Sequence, residues 1–296
     1  PKGCKNETEL EGIRAAHRRD GFALTRFLAW LAREAPGGNV TEISAADRLE
    51  AFRREGKFIR GLSFPTISGA GSNGAIIHYR ATEDSNRSLE MNSLYLVDSG
   101  AQYLDGTTDV TRTVAIGDPS KEMRDRFTRV LRGHIALATI VFPEGTTGSQ
   151  LDVLARAPLW EIGLDYDHGT GHGVGHYLGV HEGPHRISKL PNRVPLKPGM
   201  IISNEPGYYK NCAYGIRIEN LVVIKSIEEQ ARSEHEWFGL ETLTLAPIDL
   251  NLVDRSLLSD REVVWLNDYH SLVFETHRTS LNKKDREWLK QATHAI

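Results

Sequence analysis

The chain contains 296 residues, of which 40% are hydrophobic and 25% are charged, and its formal net charge is −3. This composition is typical of a soluble globular protein, and the lack of a basic surplus argues against nucleic acid as a partner. No apolar run reaches the roughly 18 residues of a membrane-spanning helix, so the sequence predicts no membrane insertion. Cys4 and Cys212 fit neither a zinc nor a redox spacing, which favours a reducing compartment over a disulfide framework.

The chain is predicted to begin with two helices. Apolar residues recur near helical spacing over residues 7–33, and Pro36-Gly37-Gly38 ends that segment. A second helix is expected over residues 41–55, with Thr41 as its N-cap. Residues 75–79 are apolar and strand-like, although Gly- and Ser-rich turns surround them.

Strand patterns dominate the next part of the chain. Ser93–Ser99 is expected to form a buried strand, and a partner strand is expected to begin at Tyr103–Leu104 after a Gly-Ala turn. Asp109–Ile116 alternates, so that Asp109 and Thr111 lie on one face. A hairpin in this region would bring acidic residues at the strand ends together.

The second half of the chain repeats this order of elements. Helices are predicted over residues 121–140 and 149–162, with Gly163 as the C-cap of the latter. Strands follow near residues 199–205 and 215–225. Helices and strands thus form two αβ halves of similar content, which predicts an α+β fold with its functional site between the halves.

Residues 237–296 form an additional segment without candidate metal ligands. Residues 240–252 look extended, and helices are predicted over residues 260–274 and 282–292. No low-complexity linker separates this segment from residues 1–236. We therefore expect a C-terminal extension that packs on the domain before it.

Four acids and one histidine form the most informative pattern in the sequence. Each lies on a short strand-like or Gly-rich segment: Asp98, Asp109, His172, Glu205 and Glu219. An oxygen-rich set with a single nitrogen suits hard divalent ions such as Mn²⁺ or Co²⁺ rather than a structural zinc site. Five ligands are enough to hold two such ions. Because two neighbouring divalent ions make a bridging water nucleophilic near neutral pH, the pattern indicates metal-assisted hydrolysis.

Each acid also has a simpler interpretation when it is taken alone. Asp98 lies in a DSG turn, and an acid before Pro-Gly, such as Glu205, is usually a solvated loop residue. Arg217 and Glu219 are expected on one face of a strand, where they form either a surface pair or a metal ligand with a cation behind it. A buried carboxylate is costly unless it is paired or metal-bound, so the combination favours the metal interpretation.

The histidines are concentrated in one Gly-rich segment. Five of the twelve are His168, His172, His176, His181 and His185. His172 and His176 have the spacing of a zinc-protease helix, but the Gly-Val-Gly between them lacks the required Glu and disfavours a helix. The alternating glycines instead indicate backbone packed closely against a ligand or another strand. One histidine is expected to bind metal, and others, with His78 as a further candidate, to donate protons or contact substrate.

Four motifs in the sequence resemble the pita-bread metallopeptidase family. They are VDSGAQYLDGTTDVTRT, HGTGHGVGHYLGVHEGP, SNEPGYY and GIRIEN. Within that family they are similar to the Xaa-Pro aminopeptidases, and most of all to the eukaryotic-type cytosolic long form. The resemblance covers essentially the whole chain, including residues 237–296. In the long form two further domains precede the catalytic one, and we expect them to be absent from this sequence.

The resemblance implies a metal-binding role for each of the five candidate ligands. It makes Asp109 and Glu219 the residues that bridge two ions. Asp98 would complete one site, and His172 and Glu205 would complete the other. Glu205 would also help to activate the attacking water.

The resemblance further implies substrate contacts and a reaction. His181 resembles the histidine near the scissile carbonyl, His78 and His168 resemble histidines that place the substrate, and Arg217 resembles the cation behind the ligands. The enzyme would remove an N-terminal residue from peptides with proline in second position, using two divalent ions that we expect to be Mn²⁺. The long form is cytoplasmic, and a homodimer is one assembly that the resemblance allows.

Other functions remain open on the same residues. A prolidase, which cleaves only Xaa-Pro dipeptides, is the nearest alternative. A methionine aminopeptidase shares the GTGHGVG segment but matches SNEPGYY and the tail less well. A non-catalytic peptide-binding module on the same fold, or a metal-independent relative of creatine hydrolases, is expected to lack several ligands, whereas all five types are present here.

Overall fold

The structure, a computed structural model, describes residues 2–227 and 236–296. Its helices are α1 (Glu7–Glu34), α2 (Glu42–Arg54), α3 (Lys121–Ala138), α4 (Gly148–Trp160), α5 (Asp260–His277) and α6 (Lys283–Ala292). Its strands are β1 (Ile59–Leu62), β2 (Ile67–Ala70), β3 (Ser93–Ser99), β4 (Ala101–Tyr103), β5 (Gly106–Thr107), β6 (Val110–Ile116), β7 (Phe142–Pro143), β8 (Gly171–His172), β9 (Arg186–Ile187), β10 (Ile201–Asn204), β11 (Gly207–Lys210), β12 (Tyr214–Arg217), β13 (Asn220–Ser226) and β14 (Trp237–Thr242). Among these residues no helix combines the length and the apolar character that a bilayer crossing requires.

Local sequence signals set the ends of the first helices. Asn6 and Glu9 form a capping box at the start of α1, in which each side chain accepts a hydrogen bond from the other residue's backbone N–H. Thr41 and Ser44 do the same at the start of α2, which confirms the predicted N-cap. A 3₁₀ turn, Ala35–Gly37, follows α1, and the left-handed Gly38, with a φ of 75°, ends that turn.

The first half of the molecule contains an antiparallel sheet in the order β2-β3-β6. Helices α1 and α2 cover this sheet, because Leu24, Phe27 and Leu49 pack in one apolar cluster with Tyr95 and Val97 of β3. None of these five residues is more than 1% exposed. Burial of this kind contributes roughly 1.5–3 kcal/mol for each large apolar side chain, which fixes the helices on the sheet.

The second half repeats that arrangement with a sheet in the order β10-β13-β14-β7. Helices α3 and α4 pack on it through Leu137 and Leu151, which share an apolar cluster with Ile202, Val222 and Phe238. The two halves meet where Thr113 of β6 exchanges hydrogen bonds with the backbone of β12. The predicted pair of similar αβ halves is therefore confirmed.

The C-terminal extension, residues 237–296, contributes directly to the second half. Its strand β14 lies between β13 and β7 in the sheet. Leu266 of α5 packs with Phe127 of α3 in one apolar cluster. Arg33 of α1 forms an ion pair of 2.8 Å with Asp285 of α6, so the extension also touches the first half.

The strand predicted over residues 75–79 is wrong. Ala75 ends a 3₁₀ turn, and Ile76 is more than half exposed. Tyr79 is buried against Ile67 and Leu96. Its hydroxyl donates a hydrogen bond to Oε2 of Glu42 at 2.8 Å. The strand of this region is β2, whose Ser and Gly residues conceal it from a pattern based on apolar side chains.

Two other strand predictions are wrong in their pairing. The partner expected at Tyr103–Leu104 pairs with β1 and β5, whereas β3 pairs with β2 and β6. The strand expected over residues 215–225 is divided into β12 and β13, with Ile218 and Glu219 between them. Since β12 pairs with β11 and β13 pairs with β10, the chain changes its partner at Glu219.

Candidate metal centre

The five candidate ligands lie together in one cavity between the two halves. Asp98 is in β3, Asp109 precedes β6, His172 is in β8, Glu205 follows β10, and Glu219 lies between β12 and β13. The cavity has a volume of about 580 Å³, and all five residues line it. Four of these side chains therefore lie at strand ends or strand interruptions, and Asp98 lies within β3 one residue before its end.

The ligand atoms are close enough to share metal ions. Nε2 of His172 lies 3.3 Å from Oδ2 of Asp109 and 3.4 Å from Oε1 of Glu205. Ligand atoms of Asp98, Asp109 and Glu219 lie within 4.8 Å of one another, and so do those of His172, Glu205 and Glu219. Glu219 belongs to both groups, which is the arrangement expected of a carboxylate between two ions.

The protein leaves polar atoms of this set without partners of their own. Oδ1 of Asp98 is buried and has no hydrogen-bond partner among the described residues, which is a costly state for a carboxylate oxygen. Nδ1 of His172 lies 3.0 Å from the carbonyl oxygen of Gly173, so Nδ1 must donate and Nε2 faces the acids. An unpartnered carboxylate oxygen, and an imidazole nitrogen directed at two further carboxylates, fit bound divalent cations.

The electrostatics of the cluster fit the same conclusion. Burial raises the pKa of Asp109 to about 6 and that of Glu205 to about 7, and neighbouring carboxylates add to both shifts. Burial and the same neighbours hold the pKa of Glu219 well above its usual range. Burial opposes the charged form of His172, but Asp109 and Glu205 outweigh it and raise its pKa to about 9. A cation would offset both the burial and the repulsion that raise the pKa values of these carboxyl groups.

Arg217 lies behind the ligands and is itself fully buried. Its Nη2 donates to Oδ2 of Asp98 at 2.6 Å, and its Nη1 donates to the hydroxyl of Tyr209 at 2.6 Å. Nδ1 of His168 donates to the carbonyl of Gly169, so Nε2 accepts from the Tyr209 hydroxyl at 2.8 Å. Burial and the charge of Arg217 lower the pKa of His168 to about 3, so this histidine is neutral.

The structure brings His181 and His78 to the same cavity, and both are exposed. His181 packs edge-on against His172, with ring centroids 4.1 Å apart. His78 is exposed at the rim, on the turn that replaces the expected strand. Both nitrogens of His168 are already hydrogen-bonded, whereas the rings of His181 and His78 remain accessible from the cavity. Their roles toward substrate stay predictions.

The glycines around His172 allow its strand to pack closely against the rest of the site. A Cβ atom at Gly171 would lie 2.0 Å from the carbonyl oxygen of Ser203, and one at Gly173 would lie 2.1 Å from that of Glu182. The predicted close packing is confirmed, and its partners are β10 and the loop after His181. Residues 173–179 contain no helix, which agrees with the prediction that His172 and His176 do not form a zinc-protease motif.

Three polar residues outside the predicted set support the site, two by contact with a ligand and one by contact with Arg217 and His168. Thr111 donates from Oγ1 to Oε2 of Glu219 at 2.7 Å, and Ser203 donates from Oγ to Oε1 of Glu205 at 2.9 Å. The third is Tyr209. The alternation that places Thr111 on the face of a ligand is a sequence signal for its role, whereas no local signal identifies Tyr209.

Comparison with known protein families finds two matching profiles. The profile of metallopeptidase family M24 matches residues 11–226, and that of the C-terminal region of peptidase M24 matches residues 236–296. The chain belongs to metallopeptidase family M24. The two similar halves of this M24 chain are accordingly those of the pita-bread fold, which confirms the fold expected from the four motifs.

The M24 chain is also similar to named proteins over its whole length. It is 51% identical to a probable Xaa-Pro aminopeptidase P of Laccaria bicolor, over 98% of this chain and 46% of the relative. It is 51% identical to aminopeptidase P2 of Arabidopsis thaliana, over 100% of this chain and 42% of the relative. The chain therefore spans about half the length of the curated relatives it matches.

Solved structures show the same relationship. A crystal structure of an X-prolyl aminopeptidase from Caenorhabditis elegans, described as a cytosolic enzyme with a di-nuclear active site, superposes with a TM-score of 0.95 at 43% identity, over 100% of this chain and 49% of that one. An Xaa-Pro dipeptidase from Bacillus anthracis superposes with a TM-score of 0.72 at 28% identity, over 84% of this chain and 64% of that one.

Proposed function

We propose that this M24 chain is the catalytic part of an Xaa-Pro aminopeptidase, which hydrolyses the bond between an N-terminal residue and a proline in second position. The observation that carries the proposal is the convergence of four acids and one histidine in a single cavity. The substrate class comes from relatives at 51% identity that are named Xaa-Pro aminopeptidase P and aminopeptidase P2.

Two divalent ions, with Mn²⁺ as the expected species, fit the donor set of the cavity. Asp98 and Asp109 would hold one ion, His172 and Glu205 would hold the other, and Asp109 and Glu219 would be shared. When bound, such ions supply an acidified water and polarise the substrate carbonyl. Binding requires ionised carboxylates and a neutral imidazole, so it releases protons from this cluster.

The proton transfers are assigned to groups of the chain itself. The Glu205 carboxylate, which lines the cavity beside the other ligands, would accept a proton from the attacking water and deliver it to the leaving proline nitrogen. The hydroxyl of Ser203 holds Oε1 of Glu205 in place. Burial lowers the pKa of His181, so its neutral ring can donate a hydrogen bond to the substrate carbonyl. His78 and His168 would help to place the peptide.

The wall of the cavity is suited to a proline ring. An Xaa-Pro bond has no N–H and its ring fixes φ, so a site that binds extended strands through backbone hydrogen bonds loses a donor there. Apolar side chains contribute much of the wall: Phe64, Pro65, Ile67, Ile77, Val180 and Leu190. Such a surface accommodates an apolar ring, while the polar floor faces the scissile bond.

Hydrolysis of an Xaa-Pro-Pro peptide tests the proposal. Chelated protein should be inactive, added Mn²⁺ should restore release of the first residue, and elemental analysis should find two ions per chain. A matched Xaa-Ala-Pro peptide should remain intact. Full activity after complete removal of metal would contradict the metal assignment, and equal cleavage of the two peptides would contradict the specificity.

Xaa-Pro dipeptidase activity is the second candidate, because the fold also matches the enzyme of that name from Bacillus anthracis. Comparison of Gly-Pro with a longer Xaa-Pro peptide separates the two activities. An aminopeptidase cleaves the longer peptide, and a prolidase cleaves only the dipeptide. Peptide binding without cleavage of either would instead support a non-catalytic module.

The wider organisation is part of the same proposal. We assign residues 1–236 to the catalytic domain and residues 237–296 to an extension that packs on it. A cytoplasmic location is supported by the description of the Caenorhabditis elegans enzyme as cytosolic. A homodimer is proposed as the assembly, and sedimentation of the protein tests it.

A further inference from the structure

Glu219 lies at a break between two strands, so the sheet does not provide partners for its backbone. β12 ends at Arg217 and β13 begins at Asn220. The backbone N–H of Glu219 donates to the carbonyl of Thr111 at 3.2 Å, and its carbonyl accepts from Nη1 of Arg112 at 2.7 Å. Two neighbouring residues of the opposite half therefore hold both backbone groups of a candidate metal ligand.

Arg112 has an acceptor for each of its donor nitrogens. Its Nη1 also donates to the carbonyl of Thr111 at 2.8 Å, and its Nε donates to the carbonyl of Pro247 at 3.0 Å. Its Nη2 contacts Oδ1 of Asn220 at 2.8 Å and the hydroxyl of Tyr269 at 2.9 Å. Ala246 adds a third acceptor for Nη2, its carbonyl, at 2.9 Å. Arg112 is only 1% exposed. Its planar guanidinium is rigid, so its hydrogen bonds hold all these groups in fixed positions relative to one another.

The C-terminal extension supplies one side of this arrangement. Ala246, Pro247 and Tyr269 all belong to it, although no described residue of the extension lines the cavity. The Tyr269 hydroxyl donates to the carbonyl of Ala246 at 2.8 Å. Its ring stacks on Trp265, with centroids 5.3 Å apart and planes 3° from parallel. The position of the guanidinium is thus determined by residues far from the cavity.

We propose that the C-terminal extension positions Glu219 for metal binding through Arg112 and Tyr269. The proposal rests on the metal centre of the proposed function. Metal ligands must be held within about 0.5 Å of their productive geometry, which a residue in a strand break cannot achieve through a sheet ladder. Arg112 and Tyr269 are accordingly positioning residues, because they act through Glu219 and not on substrate.

A second connection extends the same effect toward Glu205. Asn220 follows Glu219, and its Nδ2 lies 3.2 Å from Nε2 of His134. Asn204 precedes Glu205, and its Nδ2 donates to the carbonyl of His134 at 2.9 Å. His134 of α3 is fully buried. The residues next to two ligands are therefore joined beneath the cavity, and Arg112 binds one of them.

A buried arginine can also serve stability alone, and the molecule contains a matched example. Arg53 is fully buried, and its Nε and Nη2 donate to the carboxylate of Asp20 at 2.8 and 3.0 Å. The hydroxyl of Tyr103 donates to the same carboxylate at 3.0 Å. Arg53 approaches the backbone next to a ligand only through a long contact of 3.5 Å from Nη2 to the carbonyl of Ser99, and among the described residues the Tyr103 hydroxyl contacts neither a ligand nor a residue beside one. Tyr103→Phe is thus the control for Tyr269→Phe.

The experiment is a calorimetric titration of Mn²⁺ into metal-free protein, for the wild type, Tyr269→Phe, Tyr103→Phe and Arg112→Lys. Loss of a residue that orients metal ligands weakens metal binding by about 10- to 100-fold. We expect about a 10-fold loss for Tyr269→Phe, at the lower end of that range, and at least as much for Arg112→Lys. Tyr103→Phe should leave the affinity unchanged. The visible spectrum of the Co²⁺-loaded protein should change in Tyr269→Phe and not in Tyr103→Phe.

Unchanged Mn²⁺ affinity and an unchanged Co²⁺ spectrum in Tyr269→Phe would overturn the proposal, as would an equal loss in Tyr103→Phe. If Arg112→Lys does not fold, the comparison of the two tyrosine variants decides alone. A wild-type chain that binds no Mn²⁺ would overturn the metal centre and the positioning role together. If the wild type binds Mn²⁺ and Tyr269→Phe binds it equally well, only the positioning role is overturned.

Discussion

At the scale of single residues, the free energy of the candidate metal centre depends on compensation of buried charge. Asp98, Asp109 and Glu219 are 8%, 4% and 1% exposed. Removing several carboxylates from water is costly unless cations or hydrogen bonds compensate each one. Arg217 pairs with Asp98. The remaining acids repel one another, so both metal binding and proton binding should stabilise the cluster.

The two kinds of site residue should respond differently to truncation. Asp109→Ala should lose bound metal and peptidase activity together, because this carboxylate belongs to the group shared with Asp98 and Glu219. His181→Ala should reduce turnover by about 10²- to 10⁴-fold, as expected for a group that acts on the substrate carbonyl or its proton, and should retain metal. Elemental analysis and peptide hydrolysis of both variants test this. Loss of metal from His181→Ala would make His181 a ligand.

The pH dependence of the metal-free protein follows from its raised pKa values. A carboxyl group whose folded pKa exceeds its unfolded pKa stabilises the fold at low pH, and this contribution is lost as the pH rises through the folded value. The pKa values of Asp109 and Glu205, raised from 3.8 to about 6 and from 4.5 to about 7, therefore predict falling stability from about pH 4 to about pH 7. His172, with a pKa of about 9, contributes with the same sign.

Thermal unfolding of chelated protein across this pH range measures the effect. The stabilisation by added Mn²⁺ should increase over the same range, because the ligands release their protons before they bind the ion. A melting temperature of the chelated protein that rises steadily with pH would contradict the assignment of these shifts.

At the scale of elements, the site is formed where strands end or are interrupted. Glu219 occupies the break between β12 and β13, and Asp109 precedes the first residue of β6. An uninterrupted strand turns alternate side chains to opposite faces, so it presents few groups to a single point. Breaks release the backbone from the ladder and allow acids from several segments to converge. The cost is that other residues, here Thr111 and Arg112, must bind the released backbone groups.

The contact between β8 and β10 makes the glycine before His172 a sensitive position. Gly171→Ala would place a Cβ atom 2.0 Å from the carbonyl oxygen of Ser203, so β8 must move and His172 with it. We expect a loss of about 1–3 kcal/mol in unfolding free energy and weaker metal binding. Urea unfolding and Mn²⁺ titration measure the two effects.

Gly61→Ala is the matched control for this prediction. Gly61 also lies in a strand, but no described atom comes within 4 Å of a Cβ atom built there. Its effect on unfolding should remain within about 0.5 kcal/mol, the usual range for open surface positions. Similar losses in the two variants would show that chain stiffness, not the contact with Ser203, determines the result.

At the scale of the whole molecule, the candidate metal centre depends on three parts, although among the described residues only the two halves line its cavity. Each half supplies some of the acids, and the C-terminal extension supplies an edge-to-edge partner for β13 and the contacts of Arg112. Because β14 lies inside the second sheet, its removal would expose the backbone groups of β13 and separate β7 from the sheet. The extension is therefore expected to be essential for folding.

A chain that ends at residue 236 should show no cooperative thermal unfolding. A chain that ends at residue 293 is the control, since it keeps β14, α5 and α6 and loses only a mostly exposed terminus. The control should unfold cooperatively with a small loss of stability. Cooperative unfolding of the shorter chain near the temperature of the full chain would mean that residues 237–296 are an independent appendage.

The parts of the molecule that could be predicted are those encoded in short windows. The N-cap at Thr41 and the buried strand Ser93–Ser99 depend on neighbours in sequence, and both are confirmed. The prediction of a strand at residues 75–79 is wrong because it rests on apolar composition. The contact of Tyr79 with Glu42, which is distant in sequence, determines the conformation of that segment. Strand β2 is not predicted for the opposite reason, because its Gly and Ser residues have low strand propensity.

The sequence by itself determined the chemical types of the site: four acids, one imidazole and the glycines that allow close approach. These follow from residue identity and order, which need no knowledge of distant contacts. Only the tertiary structure decided which atoms meet. The hydrogen bond from Thr111 to Glu219 joins residues 108 positions apart, and the bond from Arg112 to Tyr269 joins residues 157 positions apart. Contacts at such separations depend on how two halves and an extension pack, so no local pattern contains them.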